Sequence, residues 1–145
     1  MTDVTTTMKL NHLSFPSTDV EATAVFFEKH LGCTATAFGT SRLLKRSGFD
    51  IVIEDASDLT VDWPHNFHLG FELPTVDDVW CLHDRFKAAG VQMETNVIRH
   101  VRGSRFFCRA PGGLMFEINT RSDAAEPYRG TFDRWGELLQ PGESP

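Results

Sequence analysis

The chain has 145 residues, 41% of them apolar, with 12 phenylalanines and a formal net charge of -6. This length and composition predict a single soluble globular domain with a sizeable core. The acidic balance argues against a nucleic-acid surface, because phosphate binding needs clustered Lys and Arg. A membrane span is also not expected, because no apolar run approaches the roughly 20 residues that it needs.

The N-terminus and the cysteines indicate a cellular compartment. Residues 1–8 are polar and lack the hydrophobic stretch of a signal peptide, so we expect a flexible leader. Cys33, Cys81 and Cys108 form an odd set without a CxxC pair. Such cysteines are typical of reduced thiols, and the sequence therefore predicts a cytoplasmic protein.

The first half of the chain predicts one helix and four strands. A strand over 9–15 precedes a helix over 19–31, which has one apolar face and ends at Gly32. Thr18 and Glu21 predict a capping box at the start of this helix. Further strands are predicted over 33–38, 41–46 and 49–54.

The second half repeats this order of elements. A loop over 55–65 leads to a strand over 67–73 and then to a helix over 76–89. Thr75 and Asp78 predict a capping box for this helix. Its remaining strands are predicted over 91–98, 104–109 and 113–119.

Corresponding segments of the two halves align with each other, at a different spacing before and after the helix. The segment 41–54 aligns without gaps to 104–117, which lies 63 residues later. His12 aligns with His68, 56 residues later, and each histidine lies in the strand before its helix. The sequence therefore predicts a duplicated βαβββ module.

This duplication predicts an α+β fold of tandem βαβββ modules with curved mixed sheets. Modules over 9–54 and 66–119 are expected to form one domain over 9–120, followed by a polar tail over 121–145. A helix covers only one face of each sheet, so packing the halves, or exchanging them between two chains, encloses a cavity over the other faces. Apolar residues in the tail predict a short docking helix: Phe132, Trp135, Leu138 and Leu139.

Four side chains with metal-binding chemistry occupy repeated positions: His12, His68, Glu54 and Glu117. Strand alternation places each of them on the face opposite its apolar neighbours. A lone strand histidine is more often structural, but two imidazoles and two carboxylates at matching places predict a divalent metal site for Fe, Mn, Ni, Co or Zn. Glu54 is either a fourth ligand or an unligated base.

Two arginines also occupy matching positions in the third strand of each half. Arg42 and Arg105 either clamp an anionic substrate, and so contribute to catalysis, or are solvated strand residues. His65 and His100 are predicted to be solvated loop residues.

Over residues 9–120 the chain resembles the vicinal oxygen chelate superfamily, which includes glyoxalase I, extradiol dioxygenases, fosfomycin-resistance proteins and bleomycin-binding proteins. Ala110 and Phe27 replace that superfamily's usual Asp and Tyr, at positions that affect a turn and a helix rather than the metal. The resemblance is carried by four motifs: Leu10-Asn11-His12-Leu13, Phe26-Phe27 with Leu31-Gly32, Phe67-His68-Leu69-Gly70-Phe71, and Ala110-Pro111-Gly112-Gly113-Leu114-Met115-Phe116-Glu117.

This resemblance implies a metal-dependent enzyme acting on a small molecule that is chelated through vicinal oxygens. The implied chemistry is enolate or enediolate stabilisation, of isomerase or lyase type, with Glu54 or Glu117 moving a proton. His12, His68 and Glu117 are the implied metal ligands, and Glu54 falls where glyoxalase I-type enzymes place an additional one. Two-module members usually form homodimers that share their sites, so the same is expected here.

Two alternatives stay open. The hairpin around Pro111 resembles that of some Fe(II)-dependent extradiol-type ring-cleaving dioxygenases, although Phe107 stands where they carry a tyrosine. A drug- or metabolite-binding resistance protein is the other alternative, but that class often lacks the three metal ligands. Pro16 occupies the place of an arginine that contacts glutathione in bacterial glyoxalase I, which argues against glutathione as a substrate component.

Overall fold

The chain divides into two compact units that meet in sequence between Val61 and Asp62. The computed structural model describes residues 4–129, and its portions 4–61 and 62–129 are called the first unit and the second unit. The boundary falls inside the loop that was predicted over 55–65. None of the helices described within residues 4–129 is long and apolar enough to cross a membrane.

The first unit is a four-stranded mixed sheet with one helix. The strand order is β1-β4-β3-β2, with β1 parallel to β4 and the other pairs antiparallel. The first strand begins at His12 rather than residue 9, because its pairing with β4 begins at His12, opposite Asp50. The elements are β1 (His12–Ser17), α1 (Val20–Leu31), β2 (Thr34–Phe38), β3 (Ser41–Lys45) and β4 (Asp50–Asp55).

The second unit repeats this topology in the order β5-β8-β7-β6. The parallel pair is now β5 with β8, and the other pairs are antiparallel. The elements are β5 (His68–Glu72), α2 (Val76–Ala88), β6 (Gln92–Met93), β7 (Arg105–Arg109), β8 (Met115–Asn119) and α3 (Glu126–Arg129). The prediction of an α+β fold built from two βαβββ modules is confirmed.

Strand β6 differs most from its prediction over 91–98. The backbone N–H groups of Glu94 and Thr95 both donate to the Phe107 carbonyl, at 2.8 and 3.3 Å. Two residues facing one is a bulge, which ends the regular ladder after Met93. Pairing resumes only as an isolated bridge between Ile98 and Arg105.

The two long helices begin at caps of different chemistry. At α2 the predicted capping box is present: Asp78 N–H donates to Thr75 Oγ1 and Thr75 N–H donates to the Asp78 carboxylate, both at 3.1 Å. The capping box predicted at Thr18 is wrong, because the residue before α1 is Asp19. Its carboxylate accepts at 3.0 Å from the Ala22 N–H, one of the first-turn N–H groups that have no partner within the helix.

Each unit buries its helix against one face of its own sheet. In the first unit the Phe27 ring is fully buried, with its centroid 5.8 Å from that of Phe15. In the second unit Phe86 packs edge-to-face on Phe106 and Phe116, with centroids 6.1 and 6.2 Å apart. The two candidate histidines and two candidate glutamates lie on the other sheet face, as strand alternation predicts.

The modules do not keep the constant spacing of 63 residues found in the sequence. In the parallel pairs His12 lies opposite Asp50, whereas His68 lies opposite Met115. If the two histidines are equivalent, so are their partners Asp50 and Met115, which are 65 residues apart. The sequence alignment of the last strands used a spacing of 63, so the structure displaces these strands by two residues from that alignment.

This displacement removes the predicted equivalence of Glu54 and Glu117. In register, Glu54 corresponds to Asn119, and Val52 corresponds to Glu117. A displacement of two residues leaves every side chain on the same face of its strand. The alternating pattern therefore fits both alignments, and only the strand pairing separates them.

The segments flanking the modules contain further structure. Val4–Thr7 form a 3-10 turn inside the predicted flexible leader, and residues 1–3 lie outside the described residues. Beyond residue 120 the second unit continues, because Arg121 and Ala124 are buried. The docking helix predicted for Phe132, Trp135, Leu138 and Leu139 lies outside the residues that the structure describes.

Candidate functional site

The polar face of the second unit's sheet contains a cleft of about 320 Å³. Alternate residues of β5, β7 and β8 form this face, and the residues between them are buried or half-buried on the helix side. Three predicted site residues line the cleft: His68, Glu117 and Arg105. The other lining residues are Gly70, Glu72, Arg102, Phe107, Asn119 and Arg121.

His68 is held through one ring nitrogen. Its Nδ1 lies 2.9 Å from the carbonyl oxygen of Asn66. A carbonyl can only accept, so Nδ1 carries a proton, and in the neutral ring Nε2 then has the lone pair. Edge-to-face contact with Phe107, at 5.3 Å between centroids, further orients the ring. Metal-binding histidines are commonly held through their second nitrogen in this way.

Glu117 is buried although it carries a charge. Its residue is only 5% exposed. Arg105 Nη1 donates to Oε1 at 3.0 Å, and Asn119 Nδ2 donates to Oε2 at 2.6 Å. These charge-assisted hydrogen bonds offset the cost of removing the carboxylate from water and fix its position.

Gly70 keeps space open beside this carboxylate. It lies directly opposite Glu117 in the β5–β8 pair. A Cβ at this position would lie 3.6 Å from Glu117 Oε2 and 3.5 Å from Asn119 Nδ2, and any longer side chain would cover both groups. The missing side chain leaves room for an ion or a substrate oxygen next to Glu117.

Arg105 is fixed by a network that includes His100. Its Nη2 donates to His100 Nδ1 at 3.1 Å, and its Nε donates to the Gly103 carbonyl at 3.4 Å. The Arg102 backbone N–H also donates to His100 Nδ1, at 3.1 Å. A nitrogen that accepts from two donors carries no proton, so this ring is a neutral acceptor that orients Arg105. His100 lies exposed in a loop, as predicted, and in addition accepts these two hydrogen bonds.

The segment after β8 forms one wall of the cleft. Asp123 accepts from the Ser104 N–H at 2.9 Å and from Ser104 Oγ at 2.6 Å. Burial raises the pKa of Asp123, but these hydrogen bonds outweigh it and hold the pKa below its ordinary value. Arg121 Nη1 donates to the carbonyl of Arg102, and the Ala125 N–H donates to that of Val101 at 2.7 Å.

The first unit holds His12 and Glu54 in a more exposed setting. His12 Nδ1 donates to Asn11 Oδ1 at 2.7 Å, and in the neutral ring Nε2 again has the lone pair. The Glu54 side chain is exposed, and its Oε2 accepts from Ser41 Oγ at 3.1 Å. The histidines of the two units are thus held alike, whereas the carboxylates are not.

Strand register also separates the two pairs. Glu54 lies opposite Pro16, four residues beyond the row of His12. Glu117 lies opposite Gly70, two residues beyond the row of His68. At roughly 3.3 Å per residue, the histidine and carboxylate rows are about twice as far apart in the first unit.

Comparison with known proteins identifies the family. The sequence model of the Glyoxalase/Bleomycin resistance protein/Dioxygenase superfamily matches residues 9–118. The chain belongs to this superfamily. The resemblance found from the sequence motifs is therefore confirmed, whereas no curated protein matches the chain.

Solved structures of superfamily members share the fold. A "possible Glyoxalase" from Bacillus cereus aligns with a TM-score of 0.67 and 26% identity, over 77% of this chain and 98% of that one. A glyoxalase/bleomycin resistance protein/dioxygenase from Nocardioides gives 0.69 and 16%, over 83% and 87%. Lactoylglutathione lyase from Agrobacterium tumefaciens gives 0.64 and 16%, over 77% and 92%. The curved, mixed four-stranded sheets are thus those of the glyoxalase-like fold.

The two arginines predicted at matching places lie in different surroundings in this superfamily member. Arg42 donates to Glu21 of α1 at 3.0 Å and lies opposite Ile53, which is buried on the helix side. It is therefore bound to the helix rather than available to a substrate. Of these two arginines, Arg105 is the one that lines the cleft.

Each unit supplies one histidine and one carboxylate of the predicted ligand set. Among residues 4–129, no three or more His, Cys, Asp or Glu side chains are grouped so that they could hold a metal ion. The four-ligand set of His12, His68, Glu117 and Glu54 thus stays a prediction.

Sequence reasoning missed several cleft residues of this glyoxalase-family chain. Asn119 carried a usable signal, because it lies two residues after Glu117 and so on the same strand face. Arg102 and Arg121 carried none, since both lie in irregular segments where no periodicity indicates direction. The wall formed by the segment after β8 depends on tertiary hydrogen bonds alone.

Proposed function

We propose that this protein is a metal-dependent enzyme acting on a small molecule through two adjacent oxygen atoms, by proton transfer of isomerase or lyase type. The observation that supports this most directly is the pairing of His68 and Glu117 on neighbouring strands. The imidazole donates from Nδ1 to a backbone carbonyl, which leaves Nε2 for a ligand bond, and the missing side chain of Gly70 leaves space beside the carboxylate. Rigid strands hold both groups.

The residues suit a divalent metal ion. In this proposal His12, His68 and Glu117 are ligands, a nitrogen and oxygen set that fits Fe, Mn, Ni, Co or Zn. Both histidines hold their Nδ1 proton against an oxygen acceptor, as metal-binding histidines do. When bound, such an ion supplies positive charge that stabilises negative charge developing on substrate oxygens.

Assembly is part of the same proposal. The His12–Glu54 pair and the His68–Glu117 pair belong to different units, so one site that uses both can be shared by the two chains of a homodimer. We place this enzyme in the cytoplasm, consistent with its cysteine content.

Glu117 and Arg105 have complementary roles in this site. Arg105 and Asn119 hold both oxygens of Glu117, so that its carboxylate keeps one orientation toward the cleft. Three contacts of Arg105 use three of the five N–H protons of its guanidinium. The other two protons are left for an anionic substrate oxygen.

Glu54 is the better placed of the two glutamates to move a proton. A single hydrogen bond, from Ser41 to Oε2, holds its side chain within the described residues. Oε1 can therefore accept a proton from a substrate carbon and return it to the neighbouring one, as a general base and then a general acid.

The register of Glu54 favours one second candidate, a ring-cleaving dioxygenase. If Glu54 lies too far along its strand to be a ligand, the donors are His12, His68 and Glu117. Two histidines and one carboxylate with open positions form the facial arrangement of non-haem Fe(II) oxygenases. A sequestering protein for apolar drugs is less favoured, because the described cleft is lined by three arginines and two glutamates.

Metal content tests the proposal directly. The full chain is purified without chelators, and metals are counted by elemental analysis in the parent and in His68→Ala. We expect His68→Ala to retain below about a tenth of the parent's metal. The control His65→Ala changes an exposed histidine outside the cleft and should leave the metal unchanged. Equal metal content in the parent and His68→Ala would refute the proposed site.

Two further measurements separate the candidate reactions. Glu54→Gln that keeps its metal identifies Glu54 as a base, and loss of metal identifies it as a ligand. Oxygen uptake with catechol by an iron-loaded parent protein supports the dioxygenase. Absence of oxygen uptake, with Mn, Ni, Co or Zn bound in place of iron, supports the isomerase or lyase.

A further inference from the structure

The cleft of the second unit has an excess of positive charge. Three arginines, Arg102, Arg105 and Arg121, line it together with two glutamates. The neighbouring His100 is a neutral acceptor at Nδ1, as its two donors show. One guanidinium is therefore not balanced by a carboxylate of the lining.

The arginines are held at the cleft although they repel one another. Burial lowers the pKa of Arg121, and the positive charges of Arg102 and Arg105 lower it further, which the negative charges of Glu117 and Glu72 only partly offset. Arg121 is fixed by donating to the Arg102 carbonyl. Within residues 4–129, no hydrogen bond or ion pair engages the Arg102 side chain. An anion in the cleft would relieve this repulsion.

Asn119 adds a buried acceptor beside these cations. Its Nδ2 must donate to Glu117, because a carboxylate only accepts, and this identifies the other amide atom as Oδ1. Oδ1 is buried without a hydrogen-bond partner among the described residues, in a side chain whose residue is 5% exposed. A buried acceptor in this state requires a donor.

The acceptor and the cation lie within reach of one small molecule. Asn119 lies directly opposite Arg105 in the β7–β8 pair. Side chains opposite each other in an antiparallel pair have Cβ atoms about 5 Å apart. Arg105 Nη1 and Asn119 Nδ2 also bind the two oxygens of one carboxylate, that of Glu117, so the ends of the two side chains lie close together. A ligand that offers an oxyanion to Arg105 and a hydroxyl proton to Asn119 would carry these two groups on adjacent atoms.

We propose that this cleft binds a small carboxylate bearing a hydroxyl group on the neighbouring carbon. The carboxylate accepts from the remaining N–H protons of Arg105 and from Arg102, and the hydroxyl donates to Asn119 Oδ1. This names a substrate class for the proposed enzyme and rests on that function for the reaction. The binding itself requires no metal.

Ligand titrations of metal-stripped full-length protein test this site. Binding of glycolate, acetate and ethylene glycol is followed by chemical-shift changes in the amide and arginine Nε signals, at constant ionic strength. We expect glycolate to bind about fivefold more tightly than acetate, since acetate lacks the hydroxyl hydrogen bond. Ethylene glycol, which lacks the charge, should not bind measurably.

Variants assign these differences to residues. Arg102→Gln should weaken glycolate at least threefold, and Asn119→Ala should abolish the preference for glycolate over acetate. Arg85→Gln, an exposed arginine on α2 away from the cleft, is the matched control and should leave binding unchanged. Equal binding of glycolate and ethylene glycol by the parent would overturn the anion site. Equal binding of glycolate and acetate by the parent would overturn the role of Asn119.

The metal and anion results are independent of each other. A chain that loses no metal in His68→Ala but binds glycolate contradicts the proposed function and keeps the anion site. A chain that loses its metal in His68→Ala but does not distinguish glycolate from ethylene glycol contradicts only the anion site.

Discussion

The two units share a topology but support their site residues differently. In the second unit Glu117 is buried, both of its oxygens are bound, and a docked segment after β8 closes one side of the cleft. In the first unit Glu54 is exposed and bound once. Duplication thus conserves the scaffold and the way each histidine is held, while the carboxylates have separate environments.

This difference suits the two carboxylates to different roles. A carboxylate fixed by an arginine and an amide is suited to hold an ion or a substrate in one orientation. An exposed carboxylate with a free oxygen is suited to accept and return a proton. Three pairs of substitutions test this difference. In each pair, one substitution alters a contact near the cleft of the second unit, and the other is a control in the first unit.

The largest effect is expected at Gly103, in the connection between β6 and β7. Its φ is +106°, and an added Cβ would lie 1.7 Å from the Thr120 carbonyl oxygen. Backbone atoms cannot yield as a side chain can, so Gly103→Ala should destabilise the protein by about 3 kcal/mol or more in urea unfolding. A smaller loss would show that the wall after β8 can shift.

Gly39 provides the matched control for this change. It lies between β2 and β3 of the first unit at φ +60°, and an added Cβ meets nothing within 4 Å. Gly39→Ala should therefore cost only about 1 kcal/mol, from the left-handed backbone alone.

An intermediate effect is expected from the two strand arginines. Arg105→Met leaves Glu117 buried without its cation, and its free energy of unfolding should fall by about 3 kcal/mol. Arg42→Met breaks the ion pair with Glu21, whose side chain is 68% exposed, and should cost below about 0.5 kcal/mol. Urea midpoints of both variants at pH 7 check the comparison, and equal losses would contradict it.

The smallest effect is a pH dependence that comes from Asp123. Hydrogen bonds from Ser104 hold its folded-state pKa below the unfolded value, so its contribution is complete above about pH 4 and is lost as pH falls through the folded-state pKa. Asp123→Asn should lower stability by about 1 kcal/mol at pH 7 and have less effect at pH 3. Urea titrations at both pH values measure the difference.

Asp58→Asn serves as the control for this pH dependence. Asp58 is exposed in the connection between the units. We expect the same stability as the parent at both pH values, and a loss equal to that of Asp123→Asn would contradict the role of the Ser104 hydrogen bonds.

Much of the scaffold could be predicted from local pattern. Alternation in the β5 stretch placed His68 on the polar face, and the Thr75–Asp78 box fixed the start of α2. The limits of such reasoning are equally local. The bulge after Met93 results from two N–H groups that share one carbonyl, and no residue type in that segment requires it.

The lining of the cleft was predicted in part. The sequence identified His68, Glu117 and Arg105, which the structure brings together around one cleft. The sequence also treated Arg42 as equivalent to Arg105, but Arg42 forms an ion pair with α1 instead of lining the cleft. It treated Glu54 as equivalent to Glu117, but the strand register places the two glutamates two residues apart in the aligned modules.

By itself, the sequence determined the α+β class, the duplication and the sheet face on which the two histidines and two glutamates lie. These follow from the periods of strands and helices and from cap chemistry, which depend only on neighbours along the chain. Only tertiary structure decided the strand register, the neutral state of His100 and the burial of Glu117. Each of these depends on groups distant in sequence meeting in space, where hydrogen bonds and exclusion of water set the outcome.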